Sequence, residues 1–595
     1  MMLLMMVALS NVARVSLDRV PRRAPTLLFL PVLMAVSAAA LAGPDTLARE
    51  MPAGAVAFAE VTDLAPVIDE IRHSSYLRMA LESPQFQKAS TSREYRKADA
   101  VRRIVERQLG VDLWTLAGKL LGHRVAAGLY LTPGKKQPDV VAVVRVAGAD
   151  ILARIRERID PLLVLAEDGV EVSVALDGTE VLELDGKAFV AIQGDRIVVA
   201  SDRDLFDGAL ELARGKEKGS LAADEGFQAM GRRMGSDHLA RVYVNTAAIN
   251  RIAGGRFAPE KLDEPMASLL FGGILELAVR SPYAGLTLDA EHGLVLRAAV
   301  AGDPETLDAS HRPFFSDASG PGTPPIPRPA AALGGLTIYR DFAGWYRNRE
   351  LLLEGRALPG FDEFESGLAN LLPGKDFSQD VLPLVGSRLT LVSAAQDYSH
   401  LDGKPGAQLP AFALIIELAK PQEAADVLQL FFQTLSAILN IQAGQQGRQP
   451  WIMTSETYND VQISYGRYLK KPSGDRLPFV FNFMPASARV GDRFIVSTSL
   501  GLCRGLVDEL RKPASGDGRT NRNFEFVLRI DPLAAIIDAN REFFEAQAIQ
   551  SGKSRDEAAK QLEAVLAIVR SFERIGLSTS VLAGGFEVEL EVEPK

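Results

Sequence analysis

The sequence predicts an α+β fold made of two homologous halves, each with a mainly antiparallel sheet and packed helices. A strand–turn–strand–helix pattern occurs twice, at Ala188–Leu212 and at Ala486–Leu510. The order of the other elements contains hairpins rather than regular β-α-β units, which favours antiparallel pairing. At 595 residues the chain is longer than one hydrophobic core normally supports, and its 47% apolar residues are ordinary for a globular protein. We therefore expect a duplicated domain.

Residues 1–42 are predicted to be a signal peptide. A basic region containing Arg22 and Arg23 precedes an apolar run, Ala24–Ala42, which ends in the small-x-small pattern Ala40-Leu41-Ala42. This arrangement is typical of a segment that signal peptidase removes. We expect cleavage after Ala42 and a periplasmic or extracellular protein. The alternative is a peripheral envelope protein that an uncleaved N-terminal helix anchors to the membrane.

The mature chain is predicted to divide at a proline-rich stretch. Residues 43–303 form the first α+β repeat, residues 304–332 form a linker with seven prolines, and residues 333–595 form the second repeat. Proline-rich segments with Ser and Gly are extended and semi-rigid. We expect the linker to separate the two halves.

Each repeat is predicted to open with an apolar strand and a helix. The strands are Val56–Val61 and Leu336–Tyr339, and Asp63 and Asp341 follow them at positions suited to an N-cap. A charged helical stretch and a short amphipathic helix come next. Gly122 and Gly386 then stand where a helix is expected to stop.

The middle of each repeat is predicted to contain a strand hairpin, an amphipathic helix and further strands. The paired hairpin strands begin at Val125 and Leu389, and the helices lie near Ala149–Val164 and Gln422–Ile441. The remaining strands are rich in valine, isoleucine and leucine, as half-buried strands usually are. Each repeat closes with a further strand, helices and a terminal hairpin.

The repeated hairpins carry the turns Gly194-Asp195 and Gly491-Asp492. A glycine at the first central position of a two-residue turn suits type II′, because that position requires a positive φ. Ser201 or Asp202 in the first copy, and Ser499 in the second, are candidate N-caps for the helix that follows. We predict a structural role for Gly194, Asp195, Gly491 and Asp492.

Three stretches resemble a family of exported bacterial proteins that carry a domain of unknown function. They are MPAGAVAFAEV at Met51–Val61, LAGKLLGHRVAAGL at Leu116–Leu129 and GDRIVVAS at Gly194–Ser201. The resemblance implies export and a repeated α+β architecture. It implies no activity, because the shared features are spacing and apolar pattern rather than chemical residues.

The sequence contains no recognisable catalytic motif. None of the six histidines belongs to a His-Glu-x-x-His motif, and no Gly-x-Ser-x-Gly elbow surrounds Ser201 or Ser499. Gly552-Lys553-Ser554 lacks the upstream glycine of a phosphate-binding loop, and Cys503 lies on the apolar side of a helix. We therefore predict no catalytic residues, no cofactor and no metal site.

Four arginines are the best polar candidates, because they occupy matching positions in the two repeats. Arg196 and Arg493 follow the turn aspartates, and Arg124 and Arg388 begin matching strands. An ion pair within the sheet accounts for each of them. A binding role would require them to face a common groove.

We predict an exported, non-enzymatic binding or scaffold protein with a protein or small-molecule ligand. The alternative from another class is a secreted hydrolase that lacks a recognisable motif. Loss of residues 1–42, which hold four Arg and one Asp, changes the net charge from −9 to −12. Because this charge opposes binding to nucleic acid and to anionic lipid, we expect neither nucleic-acid binding nor membrane contact after cleavage.

Overall fold

A computed structural model describes residues 46–595 apart from short gaps. The gaps are residues 75–76, 79–80, 82–83, 133, 136, 158–169, 175–178, 185, 217, 236–237, 253–260, 262–263, 291–292, 319, 321, 373, 448–449, 470–472 and 514–520. The predicted signal peptide therefore lies outside the described residues. The chain divides into two compact units, which group residues 1–257 with 280–301 and residues 258–279 with 302–595.

Unit 1 is an antiparallel sheet with helices on both faces. Its strands are β1 Ala57–Thr62, β2 Arg124–Tyr130, β3 Asp139–Arg145, β4 Val170–Val174, β5 Glu180–Leu184, β6 Ala188–Gln193, β7 Arg196–Ala200, β8 Ala240–Val244, β9 Ala284–Asp289 and β10 Leu294–Val300. Its helices are α1 Leu64–His73, α2 Pro84–Ser90, α3 Arg93–Leu109, α4 Leu113–Leu121, α5 Ala149–Glu157, α6 Arg203–Ala213, α7 Glu225–Met234 and α8 Thr246–Ile252.

Unit 2 contains the remaining elements. Its helices are α9 Pro265–Arg280, α10 Phe342–Arg347, α11 Arg349–Leu352, α12 Pro359–Leu371, α13 Pro421–Gln445, α14 Leu500–Arg511, α15 Ile530–Ala539, α16 Arg541–Gln550 and α17 Arg555–Val569. Its strands are β11 Ala332–Tyr339, β12 Val385–Ala394, β13 Asp402–Pro405, β14 Ala411–Leu418, β15 Trp451–Tyr458, β16 Val461–Tyr468, β17 Ser473–Leu477, β18 Ala486–Val490, β19 Arg493–Ser497, β20 Arg522–Arg529, β21 Phe572–Leu582 and β22 Gly585–Pro594.

The main sheets of the two units have the same strand order. In unit 1 the order is β10-β9-β8-β1-β2-β3-β7-β6-β5-β4. In unit 2 it is β22-β21-β20-β11-β12-β14-β19-β18-β16-β15, and every one of these pairs is antiparallel. Strands β13 and β17 form a separate parallel pair. The α+β class is confirmed, whereas common descent of the two halves stays a prediction.

Apolar residues cover both faces of each sheet. In unit 1, Val143 and Val198 face a core that includes Phe206 of α6, whereas Val144 and Ile197 face a core that includes Ile151 of α5. In unit 2, α14 packs on one face and α13 packs on the other. The central strands are consequently buried on both sides, which is why their sequences read as nearly continuous apolar runs.

The proline-rich segment is packed into unit 2 rather than held away from it as a free linker. Leu307, Phe314 and Phe315 are all buried, and Phe314 is 0% exposed. Phe314 lies so close to α9 that a Cβ built on Gly273 would come within 2.5 Å of the Phe314 Cβ. The segment therefore contributes to the hydrophobic core, which its proline content did not indicate.

Arg340 joins α9, the proline-rich segment and the sheet of unit 2. Its guanidinium is 1% exposed and donates hydrogen bonds to the carbonyl oxygens of Leu269, Leu270, Phe314 and Tyr339. Burial lowers the pKa of Arg340 to about 9, so the side chain is still protonated at neutral pH. Four carbonyl acceptors thus compensate this buried cation in place of a carboxylate.

Candidate functional site

Three arginines form a row across neighbouring strands of unit 1. Arg124 on β2 lies opposite Arg145 on β3, which lies opposite Arg196 on β7. Alternation along the strands sets them on the same face as Ala126, Val143 and Val198, which belong to the core under α6 and α7. Sequence reasoning selected Arg124 and Arg196 and missed Arg145, because the matching position in unit 2 is Glu417.

Glu50 neutralises two members of this row. Its Oε1 accepts a hydrogen bond from Arg145 at 2.7 Å, and both of its carboxylate oxygens accept from Nε of Arg196 at 2.9 Å. Arg196 also pairs with Asp195 at 2.8 Å. Glu50 is 5% exposed, so the charged groups compensate each other away from bulk water. Arg196 is therefore tied to the chain segment before β1.

Glu60 binds the same segment at the other end of the row. Its side chain is buried and accepts from the Leu47 amide at 2.7 Å, from the Thr46 hydroxyl at 3.0 Å and from Nε of Arg241 at 2.8 Å. Arg124 lies 3.6 Å from Glu60 Oε1, and its buried Nε has no hydrogen-bond partner within the described chain. Leu47 is 0% exposed. The row and the two glutamates therefore fasten residues 46–51 to the sheet.

Unit 2 holds the segment before its first strand in a similar way. Arg388 on β12 donates to the Gly322 carbonyl at 2.7 Å and to Glu417 on β14 at 2.7 Å. Glu417 lies opposite Arg493 on β19, and Arg493 is 3.7 Å from Asp492. In both units, arginines at the ends of central strands join the sheet to the chain that leads into it. This contact gives Arg196 and Arg388 a structural role. Arg124 lies near Glu60 instead, and the buried Nε of Arg493 has no hydrogen-bond partner among the described residues.

The two hairpin turns have the backbone that a type II′ turn requires at its glycine. Gly194 has a φ of +60° and Gly491 a φ of +62°, and no positive φ occurs at Asp195 or Asp492. Each turn joins directly paired strands, with Gln193 opposite Arg196 and Val490 opposite Arg493. The Asp195 and Asp492 side chains are 46% and 60% exposed.

The serine candidates have structural contacts of different kinds. Asp202 caps α6 by accepting from the amides of Asp204 and Leu205, whereas Ser201 accepts from the amide of Val140 at 2.9 Å. Ser499 forms no side-chain cap on α14. Both serines lie between a strand and a helix, but Ser201 is held by β3 rather than by a catalytic base.

Cys503 and His238 both have buried side chains. Cys503 is 0% exposed, and burial raises the pKa of its thiol to about 12, so it is an inert core residue.

Both ring nitrogens of His238 lie near acceptors, with Nδ1 2.8 Å from Asp289 and Nε2 2.7 Å from the Met234 carbonyl. Two acceptors require two N–H donors, which defines an imidazolium.

Helix α13 of unit 2 exposes large apolar side chains. Leu430 and Leu439 are each 45% exposed and Ile441 is 62% exposed. Among the helices of the described residues, only α13 has the length and composition needed to cross a membrane. Strand β15 follows α13, pairs only with β16 among the described strands, and exposes Ile452 and Met453 at 38% each. We call α13 residues 437–445 the apolar ledge.

Sequence reasoning did not identify the apolar ledge. The periodicity predicted an amphipathic helix near Gln422–Ile441, and the first half of α13 is such a helix, with Ala424, Ala425 and Phe432 buried. The missed signal is the absence of charge, since residues 427–447 contain no Asp, Glu, Lys, Arg or His. A core helix of a soluble protein normally carries charged residues on its outer face.

Comparison with known proteins gives no family for this chain. No family model matches it, and no curated protein matches it. Two solved structures, crystal forms IV and III of TP0453, match with 10% and 11% identity over 44% of this chain and 81% of theirs. Their TM-scores are 0.21 and 0.22, which are too low to support an argument about fold or function. The resemblance to exported bacterial proteins thus stays a prediction.

Proposed function

We propose that the chain is an exported, non-enzymatic binding protein and that the apolar ledge attaches unit 2 to a lipid surface. One observation carries the proposal, namely that the C-terminal half of α13 is uncharged and leaves Leu439 and Ile441 exposed. After Ser436, no residue of the helix is buried, although Leu439 continues the same side as the buried residues Phe432 and Ser436. This half of the helix extends past the core that buries the first half.

The ledge is fixed to the body of unit 2. The Asn440 side chain donates to the Trp451 carbonyl at 2.7 Å and accepts from the Trp451 amide at 3.0 Å. These two bonds join the exposed end of α13 to the start of edge strand β15. The exposed end of α13 is thereby held in place, which lowers the entropic cost of binding.

The absence of charge favours hydrocarbon over a protein partner. Protein interfaces usually keep a polar and charged rim, whereas charged side chains in hydrocarbon are costly. Residues 427–447 carry no charge on any side of the helix, so no charged side chain has to enter hydrocarbon when the apolar side does. Helices that lie in a membrane interface bury their apolar side about 5–10 Å into the headgroup region.

This proposal departs from the expectation that membrane contact ends with signal cleavage. That expectation depended on the net charge of the chain, which opposes attraction to anionic lipid. A surface without lysine or arginine gains nothing from anionic lipid, and binding through it depends on apolar area alone. We therefore expect association that changes little with salt or with the proportion of anionic lipid.

Vesicle co-sedimentation of residues 43–595 tests the proposal. The vesicles are phosphatidylcholine, with and without phosphatidylglycerol. We expect binding to both, and we expect the double variant Leu439→Asp/Ile441→Asp to bind at least about ten-fold more weakly, because burying one such side chain contributes about 1.5–3 kcal/mol. Ile252→Asp is the matched control, since Ile252 is 50% exposed on α8 of unit 1.

The control variant is expected to bind as the unchanged chain does. Equal loss in Ile252→Asp and in the double variant would mean that added charge, not the ledge, weakens binding. Absence of vesicle binding by the unchanged chain would overturn the lipid assignment and would favour a protein or small-molecule ligand instead.

A further inference from the structure

A second feature of unit 2 brings three metal-ligating side chains together. Glu276 lies near the end of α9, and Asp308 and His311 lie three residues apart in the proline-rich segment. One ligand atom from each residue lies within 4.8 Å of the others. The sequence analysis predicted no metal site because none of the histidines belongs to a ligand motif, and Glu276 lies in a different segment from Asp308 and His311.

The two segments are held firmly against each other. Phe314, three residues after His311, packs against Gly272 and Gly273 of α9. Arg340 donates to carbonyl oxygens of α9 and to the Phe314 carbonyl at 2.9 Å. The ligands therefore project from a rigid pair of elements, which is the condition for a preorganised site.

The surroundings of His311 suit a metal ligand. The Ser310 hydroxyl lies 3.2 Å from Nδ1 of His311, and the imidazole stacks on the Phe314 ring with a centroid distance of 6.4 Å. In the tautomer in which Nδ1–H donates to Ser310, Nε2 carries the lone pair that a metal requires. Outer hydrogen bonds of this kind orient the ring in known sites.

The donor set selects among cations. One imidazole nitrogen and two carboxylate oxygens are ligands that zinc accepts, and three protein ligands leave a fourth position for water. Calcium requires six to eight oxygen ligands, and magnesium prefers an octahedral oxygen set. We infer that Glu276, Asp308 and His311 form a divalent transition-metal site, best matched to Zn²⁺, that links α9 to the proline-rich segment.

Calorimetric titration with Zn²⁺ of residues 43–595, after removal of metals with a chelator, tests this inference. We expect one equivalent to bind and Ca²⁺ and Mg²⁺ not to compete. Because even a change outside the ligand set costs about 10–100-fold in affinity, Asp308→Asn and His311→Ala should each weaken binding by at least ten-fold. Asp308 and His400 are both exposed. We therefore expect Asp308→Asn to leave the unfolding temperature of the zinc-free chain unchanged, and His400→Ala is the matched control.

X-ray absorption of the zinc-loaded chain gives a second readout, with a nitrogen and oxygen shell at about 2.0–2.1 Å. Zinc should also raise the unfolding temperature of the unchanged chain and not that of His311→Ala. The inference is overturned if the chain binds no zinc, or if His400→Ala weakens binding as much as His311→Ala. It is equally overturned if zinc leaves the unfolding temperature unchanged while removal of His311 makes that temperature less dependent on pH, because the cluster is then an ion pair.

Discussion

Both carboxylate oxygens of Glu50 accept hydrogen bonds from Nε of Arg196, each at 2.9 Å, although the two residues are 146 positions apart in the sequence. Arg196 was a sequence candidate for binding, and Glu50 was not noticed. The pair is internal to unit 1 and positions the chain before β1. A conspicuous repeated arginine can thus serve the fold alone.

Replacing Glu50 with Gln is expected to destabilise unit 1 strongly. The change leaves Arg145 and Arg196 without their shared carboxylate in a buried setting, where breaking such a contact typically costs about 3–5 kcal/mol. Urea denaturation measures the decrease in the free energy of unfolding. Asp195→Asn is the control, because an exposed ion pair contributes about 0–1 kcal/mol. A Glu50→Gln variant as stable as Asp195→Asn would contradict the role given to Glu50.

Replacing Gly194 or Gly491 with Val is expected to cost about 1–3 kcal/mol of stability. A Cβ at either glycine would meet no atom within 4 Å, so the penalty arises from the positive φ alone. Asp195→Ser and Asp492→Ser should cost far less, since the second turn position accepts many residues. Thermal unfolding compares the four variants. Neutral glycine changes, or equally damaging aspartate changes, would refute the turn assignment.

His238 is expected to stabilise unit 1 at low pH. Burial lowers the pKa of His238, but hydrogen bonding to Asp289, its negative charge and the Met234 carbonyl together outweigh burial and raise the pKa overall. Folding therefore favours the protonated form. The stabilisation is complete below the ordinary histidine pKa and is lost as the pH rises through the folded-state pKa.

Comparison of the unchanged chain with His238→Gln between about pH 5 and about pH 9 measures this effect, since the range brackets the ordinary pKa. The difference in unfolding temperature should shrink as the pH rises. His73→Gln serves as the control because the His73 side chain is 69% exposed. A difference that grows with pH would contradict the imidazolium assignment.

Replacing Arg340 with Met is expected to unfold or severely destabilise unit 2. Four hydrogen bonds from a charged donor are lost, and each such bond contributes about 1.5–3 kcal/mol. Arg476→Met is the control, because the Arg476 side chain is 68% exposed in a surface pair with Glu542. Denaturant titration measures the free energy of unfolding of both variants. Equal values would contradict the stabilising role given to the Arg340 hydrogen bonds.

N-terminal sequencing of the exported protein is expected to begin at Gly43. Cleavage after Ala42 leaves three residues before Thr46, whose hydroxyl binds Glu60. Leu47, Ala48 and Met51 are each 0% exposed, so the core requires that they remain. A membrane-bound product that keeps Met1 or Met5 would contradict cleavage.

Local patterns predicted the fold class and much of the detail correctly. Asp341 accepts from the Gly344 amide as an N-cap, and Ser554 caps α17 with a reciprocal contact from Glu557, which explains why Gly552-Lys553-Ser554 is a turn between helices. Asp63 was wrongly predicted as a cap. It has a φ of +48° and forms no capping hydrogen bond, so tertiary contacts decide its backbone.

Glycines were harder to interpret. Gly122 ends α4 with a φ of −74°, and a Cβ there would come within 2.7 Å of the Ala65 Cβ, so close packing rather than a left-handed backbone requires glycine. Gly386 lies inside β12 and does not end a helix. The Glu276–Asp308–His311 cluster was also missed, because it depends on two segments that meet only in the folded chain. The apolar ledge was missed although its signal, the uncharged run 427–447, lies in the sequence.

The membership of α9 in unit 2 has a consequence for synthesis. Helix α9 leaves the ribosome before β9 and β10 of unit 1, whereas Arg340, which holds it in place, lies 60 residues beyond Arg280. At about 5–20 residues per second, α9 waits roughly 3–12 s for its anchor. Phe314 lies 34 residues beyond Arg280 and follows α9 by roughly 2–7 s at the same rate, so Gly272 and Gly273 lack their packing partner only for the first part of this interval. If the gene were divided within residues 304–332, the first product would contain α9 without Arg340, and the helix would have no anchor in its own chain.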